Sequence, residues 1–165
     1  MELGPIVRVD NTRFIFATNF SGDPNRDRYK SDKRTANLIL PNEEQALMLK
    51  EAGFNVKLTK PREDSDFEPV YYVKIRANYE GRTPPMIYLV CGDAEPRKLD
   101  EDDVGTIDDI RVSNVNVTLN PWSRDDKYSL YIRTMYVEQE MDYDPFAKEY
   151  EERRRRAEES ISYRV

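Results

Sequence analysis

The chain has 165 residues, of which 35% are charged and 38% apolar, and its formal net charge is −6 at pH 7. It contains no histidine, which excludes histidine-based triads and metal sites, and its single cysteine excludes an internal disulfide. No apolar run approaches the roughly 18 residues of a membrane span, and residues 1–10 lack the pattern of a signal peptide. The 18 aromatic residues are too many for a disordered chain, so we expect one β-rich domain in a reducing cytoplasm.

The first half of the chain predicts short strands around one helix. Residues 13–20 (RFIFATNF) predict a strand, residues 21–34 a long polar loop, and residues 36–40 a short apolar strand. In the helix that follows, Asn42 can cap the first turn, Gln45 can reach back to the cap, and Gly53 is suited to end it. Residues 56–60 predict a further short strand.

The second half is mostly strand. Residues 70–78 alternate, which predicts two faces: Tyr71, Val73, Ile75 and Ala77 on one, and Tyr72, Lys74, Arg76 and Asn78 on the other. Residues 86–91 predict an apolar strand, and residues 111–120 alternate with Val115, Val117 and Leu119 on one face. Residues 121–126 predict a turn. We expect residues 127–137 to alternate without interruption, which places Tyr131, Arg133, Met135 and Val137 together.

This order of elements predicts an all-β fold with minor α content. A small, partly open antiparallel barrel fits it best, with one helix between early strands and a C-terminal helix. We place the domain at residues 1–140 and a charged extension, helical or mobile, at residues 141–165. In that extension Asp144 and Pro145 can begin the helix. Its four consecutive arginines, 153–156, either grip phosphates or form salt bridges with neighbouring glutamates, and the salt-bridged helix is favoured.

One face of two predicted strands combines aromatic and basic residues. Its members are Tyr72, Lys74, Arg76, Tyr131 and Arg133. Aromatic rings can stack on bases and cations can neutralise phosphates, which is typical of single-strand binding surfaces. The same pattern also fits an ordinary solvated sheet face. The loop at residues 20–34 interleaves basic and aromatic residues too, and it either closes over nucleic acid or is a simple surface loop.

The negative charge is concentrated in one segment. Residues 99–126 contain eight acidic and two basic residues. Carboxylates can hold Mg²⁺ for phosphodiester hydrolysis, but such sites need acids that converge from separate strands. The acids of residues 100–109 lie in one run, so we expect a solvated loop or a partner contact, with no metal and no cofactor. Trp122 either stacks on a base or anchors its turn, and Cys91 is expected to be a buried filler.

Taken in order, several short sequence words resemble a family of bacteriophage single-stranded-DNA-binding proteins. The similarity extends over roughly residues 10–147, and the order and spacing of the words carry it. The words are Asn19-Phe20-Ser21-Gly22, Ala46 through the helix to Gly53-Phe54-Asn55-Val56-Lys57, Lys60-Pro61-Arg62-Glu63, Tyr72-Val73-Lys74-Ile75, Pro84-Pro85, Leu99-Asp100-Glu101-Asp102-Asp103-Val104-Gly105, Ser113-Asn114-Val115, Asn120-Pro121-Trp122 and Tyr131-Ile132-Arg133-Thr134-Met135-Tyr136-Val137.

The resemblance implies an OB-fold that coats single-stranded DNA (ssDNA) without marked sequence preference during phage replication or recombination. It implies no catalysis and no cofactor, and it places the protein in the host cell cytoplasm. The binding surface then maps onto Tyr72, Lys74, Arg76, Tyr131, Arg133, Trp122 and Phe20.

The partners expected besides ssDNA are phage or host replication and recombination proteins, and no membrane. Exposed edge strands make a homodimer plausible. Proteins of this function commonly end in an acidic recruiting tail, whereas residues 158–165 follow four arginines, so we do not expect recruitment through the tail. Two alternatives stay open: a phage protein-binding module, inhibitor or adaptor, that acts through its acidic surface, and a Mg²⁺-dependent nuclease that uses Asp100, Asp102 or Asp103.

Overall fold

The computed structural model of the chain describes residues 6–60, 68–141 and 152–158. These residues contain nine strands, one α-helix and two short 3₁₀ helices, and residues 152–158 are helical. The expected mostly-β class with few helices is confirmed. The elements are β1 Val7–Thr12, β2 Phe14–Asn19, a 3₁₀ helix Pro24–Arg26, β3 Arg34–Leu40, α1 Glu43–Glu51, β4 Lys57–Leu58, β5 Tyr71–Ala77, β6 Met86–Val90, β7 Arg97–Leu99, a 3₁₀ helix Val104–Asp109, β8 Val112–Arg124 and β9 Lys127–Gln139.

The strands form one sheet with the main order β1-β8-β9-β5-β3-β2. β4 pairs with β5, and β6 lies between β9 and β7. Most neighbours are antiparallel as expected, but β5 and β6 both run parallel to β9, which corrects the expectation of a wholly antiparallel sheet. β5 and β6 therefore run in the same direction, because the chain between them crosses over instead of reversing.

The sheet is not closed into a barrel by a ladder between the described strands, in agreement with the expected open architecture. β1 and β2 stand at opposite ends of the strand order, yet only Arg13 separates them in the chain. At this bend the Ile39 amide donates to the Arg13 carbonyl (3.0 Å), and the Thr12 hydroxyl donates to the Ile39 carbonyl (2.5 Å). The bent segment therefore joins β8 on one side to β3 on the other and curls the sheet around its core.

The core lies inside this curl and is supplied by alternate residues of the strands. In β5, Val73 and Ile75 are buried while Tyr72, Lys74 and Arg76 face outward, as predicted from alternation. In β8, the alternate residues Val115, Val117 and Leu119 are buried, again as predicted. Burying large aliphatic side chains removes apolar area from water, which is the main force that stabilises such a fold.

Helix α1 begins and ends largely as the sequence predicts. The Asn42 side chain accepts from the Gln45 amide at 3.2 Å. The Gln45 side chain does not return to the cap but donates to the Arg8 carbonyl at 2.8 Å, which ties α1 to β1. Gly53 follows the helix at φ +111°, and a Cβ there would lie 2.5 Å from Cζ of Tyr128. The end of α1 therefore also packs against the aromatic ring of Tyr128 from β9.

The β8–β9 hairpin differs from its prediction at both its turn and its alternation. The turn is only Asp125-Asp126, both at positive φ, whereas residues 121–124 extend β8. Two residues with φ > 0 match the twist of a hairpin, and aspartate tolerates this region better than most residues. Further along, Thr118 pairs with Thr134 and Leu119 with Ile132, so Arg133 is an extra residue in β9.

This β-bulge at Arg133 shifts the alternation of β9. Leu130 and Ile132 are buried before it, and Met135 and Val137 after it. The prediction that Met135 and Val137 share a face with Tyr131 was wrong, because a bulge reverses the parity of every residue beyond it.

The acidic segment, residues 100–109, is folded rather than a solvated loop. Its 3₁₀ helix buries Val104 and Ile107 completely or nearly so. Gly105 lies so close to β2 that a Cβ would meet Cβ of Ser21 at 3.0 Å. Among the described residues, no three His, Cys, Asp or Glu side chains are grouped so that they could hold a metal ion.

The Asp108 carboxylate is the central contact of this segment. Oδ1 accepts from the Thr18 hydroxyl at 2.7 Å and from the Phe20 amide at 2.8 Å, and Oδ2 accepts from the Ser21 amide at 2.9 Å. Hydrogen bonds to a charged group are stronger than neutral ones. One acid thereby fixes the chain where it leaves β2.

Other carboxylates of the segment are also paired. Asp109 bridges to Arg26 at 3.0 Å, and Asp103 to Arg97 at 3.1 Å. The hydrogen bond from Arg97 is the main reason why the pKa of Asp103 is lowered. Asp103 also accepts from the Asp100 amide at 2.6 Å. These contacts occupy much of the charge that makes the segment conspicuous in the sequence.

No helix among the described residues is long and apolar enough to cross a membrane. The start that we predict at Asp144 and Pro145 for the C-terminal helix lies outside the described residues. Residues 153–156, the four arginines, are helical and exposed, as expected for this part of the chain.

Candidate nucleic-acid interface

A groove opens on the outer face of the sheet where β5 and β9 diverge. The two strands are joined at a single parallel bridge, Arg76 to Tyr131, and separate on the side toward Tyr72 and Tyr128. The space between them measures about 230 Å³. We call it the β5–β9 groove, and its lining residues are Asn37, Phe54, Asn55, Lys57, Tyr72, Val73, Lys74, Arg76, Tyr128, Ser129 and Leu130.

The charge of the β5–β9 groove is wholly positive. Lys57, Lys74 and Arg76 line it, and no carboxylate does. Within the described part of the chain, none of these three cations forms an ion pair. The formal net charge of the whole protein is −6, so a groove lined by three cations and no carboxylate is a local reversal of charge. Such a groove attracts a polyanion.

Strand register explains why these side chains converge. Lys74 lies opposite Asn37 of β3, and Tyr72 lies between Ile39 of β3 and Lys57 of β4. Directly opposed residues in an antiparallel ladder point to the same face. Cations, amides and an aromatic ring therefore meet on one side of the sheet.

An exposed phenylalanine stands over the edge of this face. Phe16 has 63% of its surface exposed and adopts φ +63°, a conformation that is a genuine outlier for a bulky residue. It lies in an irregular part of β2, where the register shifts between Ile15 and Asn19. Its ring meets that of Tyr72 edge-on, with centroids 5.3 Å apart. Backbone strain of this kind is concentrated at functional sites.

The opposite wall of the groove is held by Tyr128. Its ring packs on Gly53 and meets Phe54 edge-on, with centroids 5.4 Å apart. With 41% of its surface exposed, Tyr128 keeps a part of its ring accessible. The end of α1 thus positions an aromatic side chain from β9.

A second cavity of about 250 Å³ adjoins the groove at Arg76, which lines both. Tyr131 also lines it, together with Arg34 and Tyr79. Arg34 is engaged, because it donates to the Phe20 carbonyl at 2.6 Å and lies over the Tyr79 ring at 5.6 Å. Burial raises the pKa of Tyr79 to about 12, and its hydroxyl has no hydrogen-bond partner among the described residues.

The basic loop after β2 borders this second cavity. Lys33 and Asp32 line the cavity, and Arg26 is tied to Asp109. Tyr29 is 82% exposed, with the Arg28 guanidinium 5.9 Å from its ring. The loop is therefore near the β5–β9 groove, but its basic residues do not line that groove.

The structure gathers most of the predicted site residues on one face. Tyr72, Lys74 and Arg76 line the groove together, and Tyr131 borders it across the strand bridge. Trp122 is 41% exposed and meets Tyr131 edge-on with centroids 6.3 Å apart. It belongs to β8 and not to a turn. Arg133 is exposed on the bulge, outside the residues that line the groove.

Phe20 is the exception, and its assignment to the binding surface is wrong. Its side chain is fully buried and packs against Phe14, with centroids 5.5 Å apart. Asp108 holds its backbone amide, which turns the end of β2 inward. A ring with no exposed surface cannot stack on a base.

Sequence reasoning missed several groove residues. Asn37 enters from β3, Lys57 from β4 and Asn55 from the loop after α1, and only the folded sheet brings these three segments beside β5. Phe16 was missed because the predicted strand RFIFATNF was not assigned an outward face. Tyr128 was not assigned to the site either. For the wall of the groove that contains Tyr128, the sequence word Gly53-Phe54-Asn55 was the one available signal.

Comparison with known proteins identifies the family. The profile of the family described as "Putative phage ssDNA-binding domain" matches residues 4–161, nearly the whole chain. The chain belongs to this family. No curated protein matches the sequence.

Solved structures that are similar to this chain include proteins of bacteriophage Enc34. Its single-stranded DNA-binding protein is 13% identical, with 84% of this chain and 83% of that chain covered at a TM-score of 0.48. A C-terminal truncation is 16% identical over 84% and 87%, with a TM-score of 0.48. The protein in complex with ssDNA is 13% identical over 84% and 88%, with a TM-score of 0.46.

Proposed function

We propose that this member of the phage ssDNA-binding family binds ssDNA in the β5–β9 groove, without marked sequence preference. Membership of the family supports the choice of ligand. The observation that carries the location is the groove itself, with aromatic walls, no carboxylate in its lining, and three cations that form no ion pair with a described residue.

Each part of the groove has a role in this mechanism. Lys57, Lys74 and Arg76 neutralise phosphates, which releases counterions and makes binding sensitive to salt. Tyr72 and Phe16 offer ring faces on which bases stack. Stacking tolerates any sequence because every base has a π-face.

The far side of the groove extends the same surface. Tyr131 and Trp122 supply further rings next to Arg76, and Arg133 supplies a further cation along β9. Asn37 and Asn55 can donate to phosphate or base oxygens.

The wider role follows from this activity. We propose that the protein coats ssDNA during phage DNA replication and recombination in the host cell cytoplasm, without catalysis or a cofactor. An OB-fold domain at residues 1–140 with an extension at residues 141–165, contacts with replication or recombination proteins, and a homodimer are parts of the same proposal.

The acidic surface gives less support to a protein-binding module. Asp103, Asp108 and Asp109 are engaged in hydrogen bonds or ion pairs within the protein. A surface that mimics nucleic acid needs charges that are free for a partner. We therefore do not propose this second function.

The test is fluorescence anisotropy with labelled oligo-dT and a duplex of equal length, across a salt series. We expect tight binding to the single strand, a steep loss of affinity with salt, and weak binding to the duplex. Poly-dA and mixed-sequence oligonucleotides should bind within a few-fold of oligo-dT. Absence of binding to any single strand at low salt would contradict the proposal.

A further inference from the structure

The outer face of β9 continues beyond the β5–β9 groove, past the bulge at Arg133. Tyr131 faces outward before the bulge and Tyr136 after it. Without the extra residue, alternation from Tyr131 would turn Tyr136 inward and Met135 outward. The bulge therefore sets an exposed arginine between two outward tyrosines of one strand, which is how bulges redirect side chains near binding sites.

Tyr136 is one half of an aromatic stack. Its ring lies parallel to that of Tyr88 on β6, with centroids 4.8 Å apart and 12° between the planes. Lys98 of β7 lies opposite Tyr88, and Asn116 of β8 lies opposite Tyr136. One row across four strands thus contains an amide, two stacked rings and a lysine, the same residue types that line the groove.

This row is accessible and its cation is free. Tyr136 is 39% exposed, and the neighbouring Met86 is 43% exposed. Neither Lys98 nor Arg133 forms an ion pair with any described residue. The row is linked to the groove along β9 through Tyr131 and Arg133.

We infer that Tyr88 and Tyr136 form a second base-stacking site for the same DNA strand, reached from the groove across Arg133. This inference rests on the proposed function and extends it, because it makes the bound stretch of ssDNA longer than the groove alone. Continuity along β9 and the flanking cations favour ssDNA over a protein as the occupant. Lys98 then neutralises a phosphate beside the stacked base.

The experiment compares two oligonucleotide lengths, about 5 and about 15 nucleotides of dT, near the ends of the known range of site sizes. Anisotropy is measured with trace DNA, and titration at high concentration establishes one protein per oligonucleotide. The variant Tyr88→Ala/Tyr136→Ala should bind the long oligonucleotide roughly five- to a hundredfold more weakly. Its affinity for the short one should be unchanged.

Two further variants separate stacking from structure. Tyr136→Phe keeps the ring and should keep full affinity for the long oligonucleotide. Lys98→Gln leaves the stack untouched and should lower the salt slope for the long oligonucleotide by about 0.7, as for one lost phosphate contact, without altering the short one. Leu47→Ala, on the exposed face of α1, is the matched control and should change neither.

Three results would overturn the inference. One is equal affinity of the folded double variant and the wild type for the long oligonucleotide, with Lys98→Gln also without effect. Another is equal weakening for both lengths. The third is a double variant that differs from the wild type in sedimentation coefficient but not in affinity for ssDNA, which would assign the row to contact with a second copy of the protein. Failure of the wild type to bind either length would instead contradict the proposed function.

Discussion

The β5–β9 groove and the acidic segment are both rich in charge, yet they use it in opposite ways. In the groove, Lys57, Lys74 and Arg76 have no ion pair within the described residues. In the acidic segment, Asp108 holds three groups of β2. The larger cluster in the sequence is therefore mainly structural, and the smaller one is available to a ligand. What matters for function is which charges the fold leaves unpaired.

The largest expected effect comes from removing the free charge. The variant Lys57→Gln/Lys74→Gln/Arg76→Gln should lose about three phosphate contacts, which lowers the salt slope by about 2 and the affinity for ssDNA by about a hundredfold at 0.1 M salt. The measurement is anisotropy across a salt series. Lys50→Gln on α1 removes one charge outside the groove and should have little effect. An unchanged slope in the triple variant would move the DNA elsewhere.

The converse experiment concerns the acidic segment. Asp108→Ala should lower the free energy of unfolding by about 3 kcal/mol, because it leaves two backbone amides and a hydroxyl without their charged acceptor. Chemical denaturation measures this effect, and Asp102→Ala, whose side chain is exposed, is the control of equal charge. The folded Asp108→Ala protein should bind ssDNA normally. A selective loss of DNA affinity with normal stability would contradict the structural role.

A smaller effect is expected from a single ring of the groove. Tyr72→Ala should weaken ssDNA binding by about 1–3 kcal/mol, the value for one stacked base. Phe16→Ala should have an effect of similar size if the two rings hold the same base, and the double variant should then be less than additive. Phe20→Ala is the informative contrast, because it should cost stability through the core instead of affinity. Equal affinity of Tyr72→Ala and the wild type would remove stacking from the mechanism.

The smallest effect is a pH dependence at Tyr79. Burial raises its pKa to about 12, whereas the pKa in the unfolded chain is about 10. The folded protein holds this proton more firmly, so its contribution to stability is full below pH 10 and falls as the pH rises from 10 to 12. Tyr79→Phe should be neutral or slightly stabilising at pH 7 and should flatten the decline. Parallel alkaline denaturation curves for both proteins would contradict this.

Local alternation was sufficient to predict the outward face of β5. Tyr72, Lys74 and Arg76 share a face because β5 is regular, and the buried residues of β8 were predicted for the same reason. The N-cap at Asn42 and the left-handed Gly53 were also predicted correctly, since both depend on residues within one or two turns. The family resemblance supplied the ligand, which alternation alone cannot give.

The missed features depend on partners distant in sequence. The bulge at Arg133 is decided by the pairing of β9 with β8, so counting along β9 could not find it. Phe20 is buried instead of exposed because Asp108, far along the chain, holds its backbone amide. The Asp125-Asp126 turn lacks the glycine that usually marks a two-residue hairpin.

The pairing of β1 with β8 affects how the protein folds during synthesis. β1 is synthesised well before its partner β8, with Val7 opposite Leu119. β1 therefore remains an unpaired edge until β8 has been synthesised. Such a long-range pairing slows folding and leaves the unpaired backbone groups of β1 exposed, where they can pair with other nascent chains. We expect β3, α1 and β5, which are neighbours in sequence, to assemble first, and the curl of the sheet to be completed only after β8 and β9 are synthesised.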